Sequence, residues 1–168
     1  ELDSSLVFDD INKFTSSISK PRKVLILVPS GPALDEVISL LIQYLDSNDI
    51  LIDGGNTNPN VSFENHQTIK SKNLLYLGMG VSGGVKGVLE GPSIMIGGDT
   101  NAFDRVKNIF SQITSKTING SKSFEFFGDS NQGHFVKMIH NGIEYVEMQL
   151  ISSIYYLFLA ILFMRFSG

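Results

Sequence analysis

Apolar and polar positions follow one another along this chain in blocks whose period changes, and the changes mark out its elements. Residues 23–28 are an almost unbroken apolar run with β-branched side chains, the pattern of a strand buried on both faces. Pro29, Gly31 and Pro32 end it. Residues 33–45 then carry Leu34, Val37, Ile38, Leu41 and Leu45 at helical spacing, until Asp46, Ser47, Asn48 and Asp49 stop the helix. Residues 50–53 form a second short strand that runs into Gly54, Gly55 and Asn56. Residues 57–72, opened by Asn58 and Pro59, predict a helix, and residues 74–77 a third strand followed by a glycine-rich loop at 78–84. Residues 92–98 and 123–127 predict two more strands. Between them residues 101–113 predict a helix with Phe103, Val106, Ile109, Phe110 and Ile113 on its inner face. Residues 6–20 read as a short connecting helix with Asp9 and Asp10 near its start.

Strands that alternate with helices imply parallel pairing through right-handed crossovers. The fold class is therefore α/β, a partial doubly wound, Rossmann-like and mostly parallel sheet. Such sheets bind ligands beyond the carboxyl ends of their strands. Three loops are predicted there, at residues 28–31, 54–57 and 78–84.

The last third of the chain is different. Residues 133–145 have helical period, and on an ideal helix Lys137, His140, Asn141, Glu144 and Tyr145 fall within an arc of about 140°. Phe135, Ile139, Gly142, Ile143, Val146 and Leu150 fall on the other side. Solvated helix faces are built mainly from Glu, Lys and Gln with ion pairs at i,i+4. This face instead carries an amine, an imidazole, an amide, a carboxylate and a phenol, so a solvated face and one wall of a cleft both remain open. Lys137 and Glu144 stand about 10 Å apart along the axis. Residues 154–164 are almost wholly apolar but shorter than a bilayer span, so a buried helix is expected and no membrane segment.

Composition narrows the function classes. With 168 residues, 42% hydrophobic and 18% charged, the chain is long and apolar enough for a folded core. A net charge of −4 without a basic block argues against a nucleic-acid partner. There is no cysteine, hence no disulfide, thiolate metal site or cysteine nucleophile, and His66, His134 and His140 form no paired-ligand motif, so no metal is expected. The acidic start lacks the cationic region of a signal peptide and an initiator Met, which leads to the expectation of a piece of a longer protein.

Gly78-x-Gly80-x-x-Gly83 matches the dinucleotide fingerprint after a strand, but that fingerprint needs a following helix, and residues 85–92 are broken by glycine and proline. A tight turn is one alternative. Another is a backbone cradle in which Ser82, Gly83 and Gly84 offer a hydroxyl and N–H groups to an oxygen-rich ligand. Asn56 is ordinary turn chemistry at a position that favours a ligand contact. His134 reads equally as a cap, a packing residue or a ligand, and Asp99 and Arg105 as solvated or helix-end charges.

Taken together, Asp53-Gly54-Gly55-Asn56, Gly80-Val81-Ser82-Gly83-Gly84, residues 90–95 (Glu-Gly-Pro-Ser-Ile-Met) and the long run 133–145 resemble 6-phosphogluconate dehydrogenase, in the same order and at fitting intervals over roughly residues 5–157. The resemblance implies NADP as cofactor and the oxidative decarboxylation of 6-phosphogluconate to ribulose 5-phosphate and CO₂, by a cytoplasmic homodimer. It implies Lys137 as general base, taking the proton of the 3-hydroxyl, and Glu144 as general acid, protonating the carbon that CO₂ leaves. It implies His140, Asn141, Tyr145, Ser82, Gly83 and Gly84 as substrate ligands, Asn56 as a contact of both substrate and cofactor, and Val28, Pro29 and Ser30 as cofactor contacts. A lysine base must shed its proton at working pH, which a dry or electropositive pocket promotes.

The sequence also departs from the family pattern. The family's own fingerprint lies upstream of anything here, Pro29 stands where the family often has lysine, and residues 130–132 (Ser-Asn-Gln) replace a stretch richer in glycine and alanine. Residues 157–168 drift from the pattern, where the family continues into a large helical domain that carries phosphate-binding basic residues. The resemblance thus divides the chain into residues 1–130, the C-terminal part of an NADP-binding domain, and 131–168, the start of the helical domain. A related β-hydroxyacid dehydrogenase and an inactive truncated product are the alternatives. The isolated chain is expected to be inactive and to expose its apolar C-terminal run.

Overall fold

The computed structural model describes residues 6–166. Five strands form one sheet: β1 (Lys23–Ile26), β2 (Ile50–Asp53), β3 (Leu75–Ser82), β4 (Ser93–Gly98) and β5 (Phe124–Phe126). Six helices accompany them: α1 (Ile11–Ser17), α2 (Pro32–Leu41), α3 (Pro59–Lys70), α4 (Gly84–Glu90), α5 (Thr100–Ile113) and α6 (Gln132–Phe166). The strand order is β1-β2-β3-β4-β5. The β1–β2, β2–β3 and β4–β5 pairs are parallel, whereas β3 and β4 are antiparallel. The mostly parallel α/β sheet is as expected, with one reversal.

Because side chains alternate across a strand, the sheet feeds two cores. Val24, Ile26, Leu51 and Tyr76 pack with Leu34, Ile38 and Leu41 of α2 and Ile69 of α3. Ile50, Ile52, Leu77, Met79, Ile94 and Ile96 pack with Ala102, Val106 and Phe110 of α5. Arg22 pins the corner before β1, donating from Nε to the Thr15 carbonyl at 2.8 Å and pairing with Asp49 at 2.7 Å and Asp46 at 2.6 Å.

Several expectations need correction. β1 is buried on one face alone, and Leu25 and Leu27 on the other face are 46% and 67% exposed, because α5 lies over the centre of the sheet. Ile109 and Ile113 are half exposed, so the inner stripe of α5 is Ala102, Val106 and Phe110. The loop expected at residues 78–84 is largely strand: β3 continues through Ser82, held by antiparallel pairing from Leu77↔Gly98 to Ser82↔Ser93. The broken stretch after it nevertheless folds as α4. Gly83 and Gly84 take φ of 143° and 52° to turn the chain into that helix, angles that side chains oppose. The fingerprint match still fails as a phosphate loop, now because Gly78 and Gly80 lie inside a strand.

The register makes β3 longer than its parallel neighbour. Asp53, the last residue of β2, pairs with Gly78, and β3 runs four residues further to Ser82 beside β4 alone. That overhang is about 13 Å at strand rise.

The chain divides into two compact units, Glu1–Lys137 and Met138–Gly168. The second is the continuation of α6. Its apolar side chains from Met138 to Met164 are exposed, apart from the half-buried Leu159, as expected of the apolar run in the isolated chain and not as the buried helix expected for residues 154–164. A helix of 35 residues with a mean hydropathy of 1.7 over its best stretch is long and apolar enough to cross a membrane, by length and composition.

Candidate functional site

In the first unit the first turn of α6, with Lys137, packs closely on β3 and β4. Contact this close requires positions without side chains. A β-carbon on Gly80 would overlap the β-carbon of Lys137 and lie 3.0 Å from the Gly133 carbonyl oxygen. One on Gly78 would lie 2.9 Å from both His134 Nδ1 and Ser62 Oγ, and one on Gly133 would overlap the Gly78 carbonyl. Gly78 and Gly80, two of the three glycines that resembled a phosphate loop, are thus a floor for a helix. Lys137 is half-buried with its β-carbon over Gly80, two residues along β3 from Gly78 and two from Ser82.

The β2–α3 turn is held from below. Asp53 is fully buried and its carboxylate accepts from the Gly55 N–H at 3.0 Å, the Thr57 hydroxyl at 2.8 Å and the Tyr76 hydroxyl at 3.3 Å. Tyr76 Oη lies 3.0 Å from Ser62 Oγ, which lies 2.8 Å from His134 Nδ1 in the first turn of α6. Asn56 is left exposed at the tip of this braced turn. The Asn131 side chain donates to the Pro59 carbonyl at 3.0 Å, so the altered approach to Gly133 ties α6 to the start of α3. Burial and the Asp53 charge push the Tyr76 hydroxyl well above the ordinary phenol value. Burial also pushes His134 below the ordinary imidazole value, against the pull of Asp53 and of the Gly55 and Asp53 backbone.

Asp99 is not a solvated charge. It stands at the start of α5 and accepts from the Tyr76 N–H at 2.8 Å and from His66 Nε2 at 3.2 Å. Burial lifts its carboxyl, but the bonds from His66 and Tyr76 more than offset this and hold it below the usual carboxylate range. Arg105 lies within α5 and bonds Asn101 at the surface, a solvated charge and not a helix-end one. His134, open between cap, packing and ligand in the sequence, is a buried hydrogen-bonded residue, 2% exposed.

Ser82 closes β3, Gly83 caps α4 and Gly84 opens it. Ser82 and Gly83 also line an open cleft of about 410 Å³ with Lys86, Glu90, Ser93 and Lys116; Lys137 is not among its lining residues. Val28, Pro29 and Ser30 follow β1 and lead to α2, whose N-terminus has no side-chain cap.

The second unit carries the other predicted groups on its own helix. His140 Nδ1 lies 3.2 Å from Asn141 Oδ1 and 3.8 Å from Glu144 Oε2. Tyr145 is 68% exposed. Ile139, Ile143, Val146 and Leu150, from the opposite stripe, are exposed as well, as is Phe135 of that stripe in the first unit.

The buried chain through Asp53, Tyr76, Ser62 and His134 was not anticipated. Its trace in the sequence is Asp53 itself, a carboxylate ending an apolar strand, where it must find donors.

Residues 4–121 match the family described as the NAD binding domain of 6-phosphogluconate dehydrogenase, and residues 133–166 the C-terminal domain of 6-phosphogluconate dehydrogenase. The second match reaches beyond Tyr156, past the point where the sequence was read as drifting. The decarboxylating 6-phosphogluconate dehydrogenase of Staphylococcus epidermidis is 44% identical over 86% of this chain and 31% of its own length. That of Rattus norvegicus is 44% identical over 92% of this chain and 32% of its own. The Plasmodium falciparum 6-phosphogluconate dehydrogenase, solved apo, with its cofactor NADP⁺ and with its substrate 6-phosphogluconate, superposes with a TM-score of 0.82 at 41% identity. That match covers 87% of this chain and 31% of the Plasmodium chain. A 3-hydroxyisobutyrate dehydrogenase of Mycobacterium tuberculosis shares the fold, with a TM-score of 0.76 at 20% identity over 89% of this chain and 48% of its own. The chain spans about a third of the length of the curated relatives it matches. The glycine floor, the lysine seated on it and the two family matches lead to one conclusion: the chain belongs to the 6-phosphogluconate dehydrogenase family.

Proposed function

We propose that this chain supplies part of the active site of an NADP-dependent enzyme that oxidatively decarboxylates 6-phosphogluconate to ribulose 5-phosphate and CO₂. The observation that carries the reading is the seat of Lys137. Packing on Gly80 places its stem between the level of the Asp53–Asn56 turn and the level of Ser82. A polyol lying along β3 would meet a turn amide, an amine and the hydroxyl and N–H groups of residues 82–84 in sequence.

In this reading Lys137 takes the proton of the substrate 3-hydroxyl as the hydride leaves the same carbon. The resulting 3-keto group accepts the electron pair when the bond to the carboxylate breaks and CO₂ departs. Glu144 then delivers a proton to the carbon left behind. His140, Asn141 and Tyr145 orient the substrate from α6, and Ser82, Gly83 and Gly84 from the end of β3. Asn56 touches both substrate and cofactor. NADP⁺, when bound, supplies the hydride acceptor. Val28, Pro29 and Ser30 would hold it, and the form of their turn suits a cofactor contact, since it opens at the carboxyl end of a strand and runs into a helix with uncapped N–H groups. Residues 1–130 are assigned to the cofactor domain and 131–168 to the helical domain. The assignment extends to a cytoplasmic homodimer without nucleic-acid or membrane partners. The net charge of −4 supports the exclusion of nucleic acid.

The test is a chimera in which residues 4–166 replace the matching stretch of the Staphylococcus epidermidis enzyme. It should reduce NADP⁺ with 6-phosphogluconate and release CO₂. Lys137→Met within it should abolish turnover while substrate still binds. A folded chimera without turnover overturns the proposal.

A further inference from the structure

We infer that His134, Ser62, Tyr76 and Asp53 form a one-way hydrogen-bonded relay that positions the first turn of α6, and Lys137 with it, against the turn that carries Asn56. The importance given to Lys137 rests on the reaction proposed above; the relay itself does not.

Its direction follows from counting protons. The Asp53 carboxylate is an acceptor and already receives the Gly55 N–H and the Thr57 hydroxyl. Tyr76 Oη lies 3.3 Å from Asp53 Oδ2 in a buried setting. Turning an oxygen lone pair toward that charge would be repulsive, so the single phenol proton points at Asp53. Tyr76 Oη then meets Ser62 Oγ, at 3.0 Å, as an acceptor, so Ser62 spends its single proton there. Ser62 Oγ must in turn accept from His134 Nδ1 at 2.8 Å, which fixes the proton of that ring on Nδ1.

A second observation agrees. His134 Nε2 is buried and has no hydrogen-bond partner; the Gly55 and Asp53 backbone influences the ring without reaching bonding geometry there. A proton on Nδ1 is satisfied by Ser62 Oγ at 2.8 Å, whereas one on Nε2 would meet only the Gly55 and Asp53 backbone, the form left to the ring once Ser62 donates to Nδ1. Burial keeps the ring neutral, so it has one proton to place.

The relay joins four elements, Tyr76 contributing β3. Asp53 ends β2 and braces the turn, Ser62 lies in α3, and His134 sits one helical turn before Lys137. Ser62 carries the chain from Tyr76 to His134 and so to the first turn of α6.

The relay predicts a change at a distance. In Tyr76→Phe the ring that stacks on His66 is kept but the acceptor of the Ser62 proton is gone. Ser62 then donates to His134 Nδ1, and the imidazole proton moves to Nε2. Long-range ¹H–¹⁵N correlation on the uniformly ¹⁵N-labelled 168-residue chain reads the tautomer, and its backbone amide spectrum reads Lys137. The expected result is Nδ1–H at His134 in the parent chain, Nε2–H in Tyr76→Phe, and a displaced Lys137 amide resonance in the variant. Ser62→Ala should also lose the Nδ1–H form and speed exchange of the Lys137 amide several-fold, and Ser62→Thr, which keeps the hydroxyl, should restore both. Nε2–H in the parent chain, or an unchanged tautomer in both Tyr76→Phe and Ser62→Ala, overturns the relay. None of these readings requires turnover, so failure of the relay and failure of the proposed reaction remain distinct.

Discussion

One helix, α6, behaves as two. In its first six residues His134 is buried and bonded, Gly133 is pressed between backbone carbonyls of β3 and β4, and Lys137 is seated on Gly80. From Met138 onward the same helix carries Ile143, Leu150, Ile154, Tyr155, Leu157 and Phe158, all exposed. The half with the more apolar side chains is the one that is not buried. The difference teaches that the first turn is held by shape and by directed polar contacts, made possible by glycines on the strands beneath it. Apolar content alone places nothing.

The contrast can be broken most severely at Gly133. Gly133→Val drives a side chain into the carbonyls of Gly78 and Met95 and should cost about 3 kcal/mol, the upper range for overpacking. Urea denaturation of the chain measures it; an unchanged midpoint would mean that the first turn is not held against the sheet.

Acid should loosen the held half next. Because burial depresses His134, the unfolded chain binds that proton more readily than the folded one. The stabilisation is therefore complete above about pH 6.5, the unfolded value, and falls as pH drops from there toward the folded pKa. Urea midpoints compared on the two sides of that value should differ, and His134→Gln should flatten the difference. An equal slope in the variant would remove His134 as its source.

The unheld half should respond in the opposite sense to a similar change. Gly142 has nothing within 4 Å of a β-carbon. Gly142→Ala should therefore favour the helix by about 0.5–1 kcal/mol, seen as higher helix content by circular dichroism. A loss of helicity there would reveal a contact that the exposed face conceals. The smallest effect is expected at Ile143, 58% exposed, where Ile143→Ala should change unfolding by no more than about 0.5 kcal/mol.

The sequence made these two halves legible to different degrees. Strands β1, β2 and β5 were readable because short apolar runs end in glycine, proline or aspartate. The helical face of residues 137–145 was readable because unlike polar groups recur at helical spacing. The end of β3 was not, because Gly78 and Gly80 carry the signature of a turn, and only the approach of α6 explains glycine inside a strand. Helix α4 was hidden by Gly87, Gly91 and Pro92. The reversed direction of β4 leaves no local mark at all, since pairing direction is set by the connection and not by the strand's own side chains. The relay was invisible because Ser62, Tyr76 and His134 are ordinary residues until the fold stacks them beneath Asp53. Of the residues singled out in the sequence, Asn56 follows the carboxyl end of β2, Ser82 ends β3 and Lys137 is seated on Gly80 between those levels.

The overhang of β3 has a consequence for what mutation can reach. Between Gly78 and Ser82 the strand is paired with β4 on one side and, among the described residues, has no strand on the other, the side of the turn that carries Asn56. Its peptide groups along that margin belong to the main chain, so any molecule read there is read in a script that side-chain replacement cannot edit. Only proline, which deletes an N–H, or a shift of register could alter it. Side-chain scanning across residues 79–82 would therefore under-report their importance. Amide-to-ester replacement of single peptide bonds is the instrument suited to that margin.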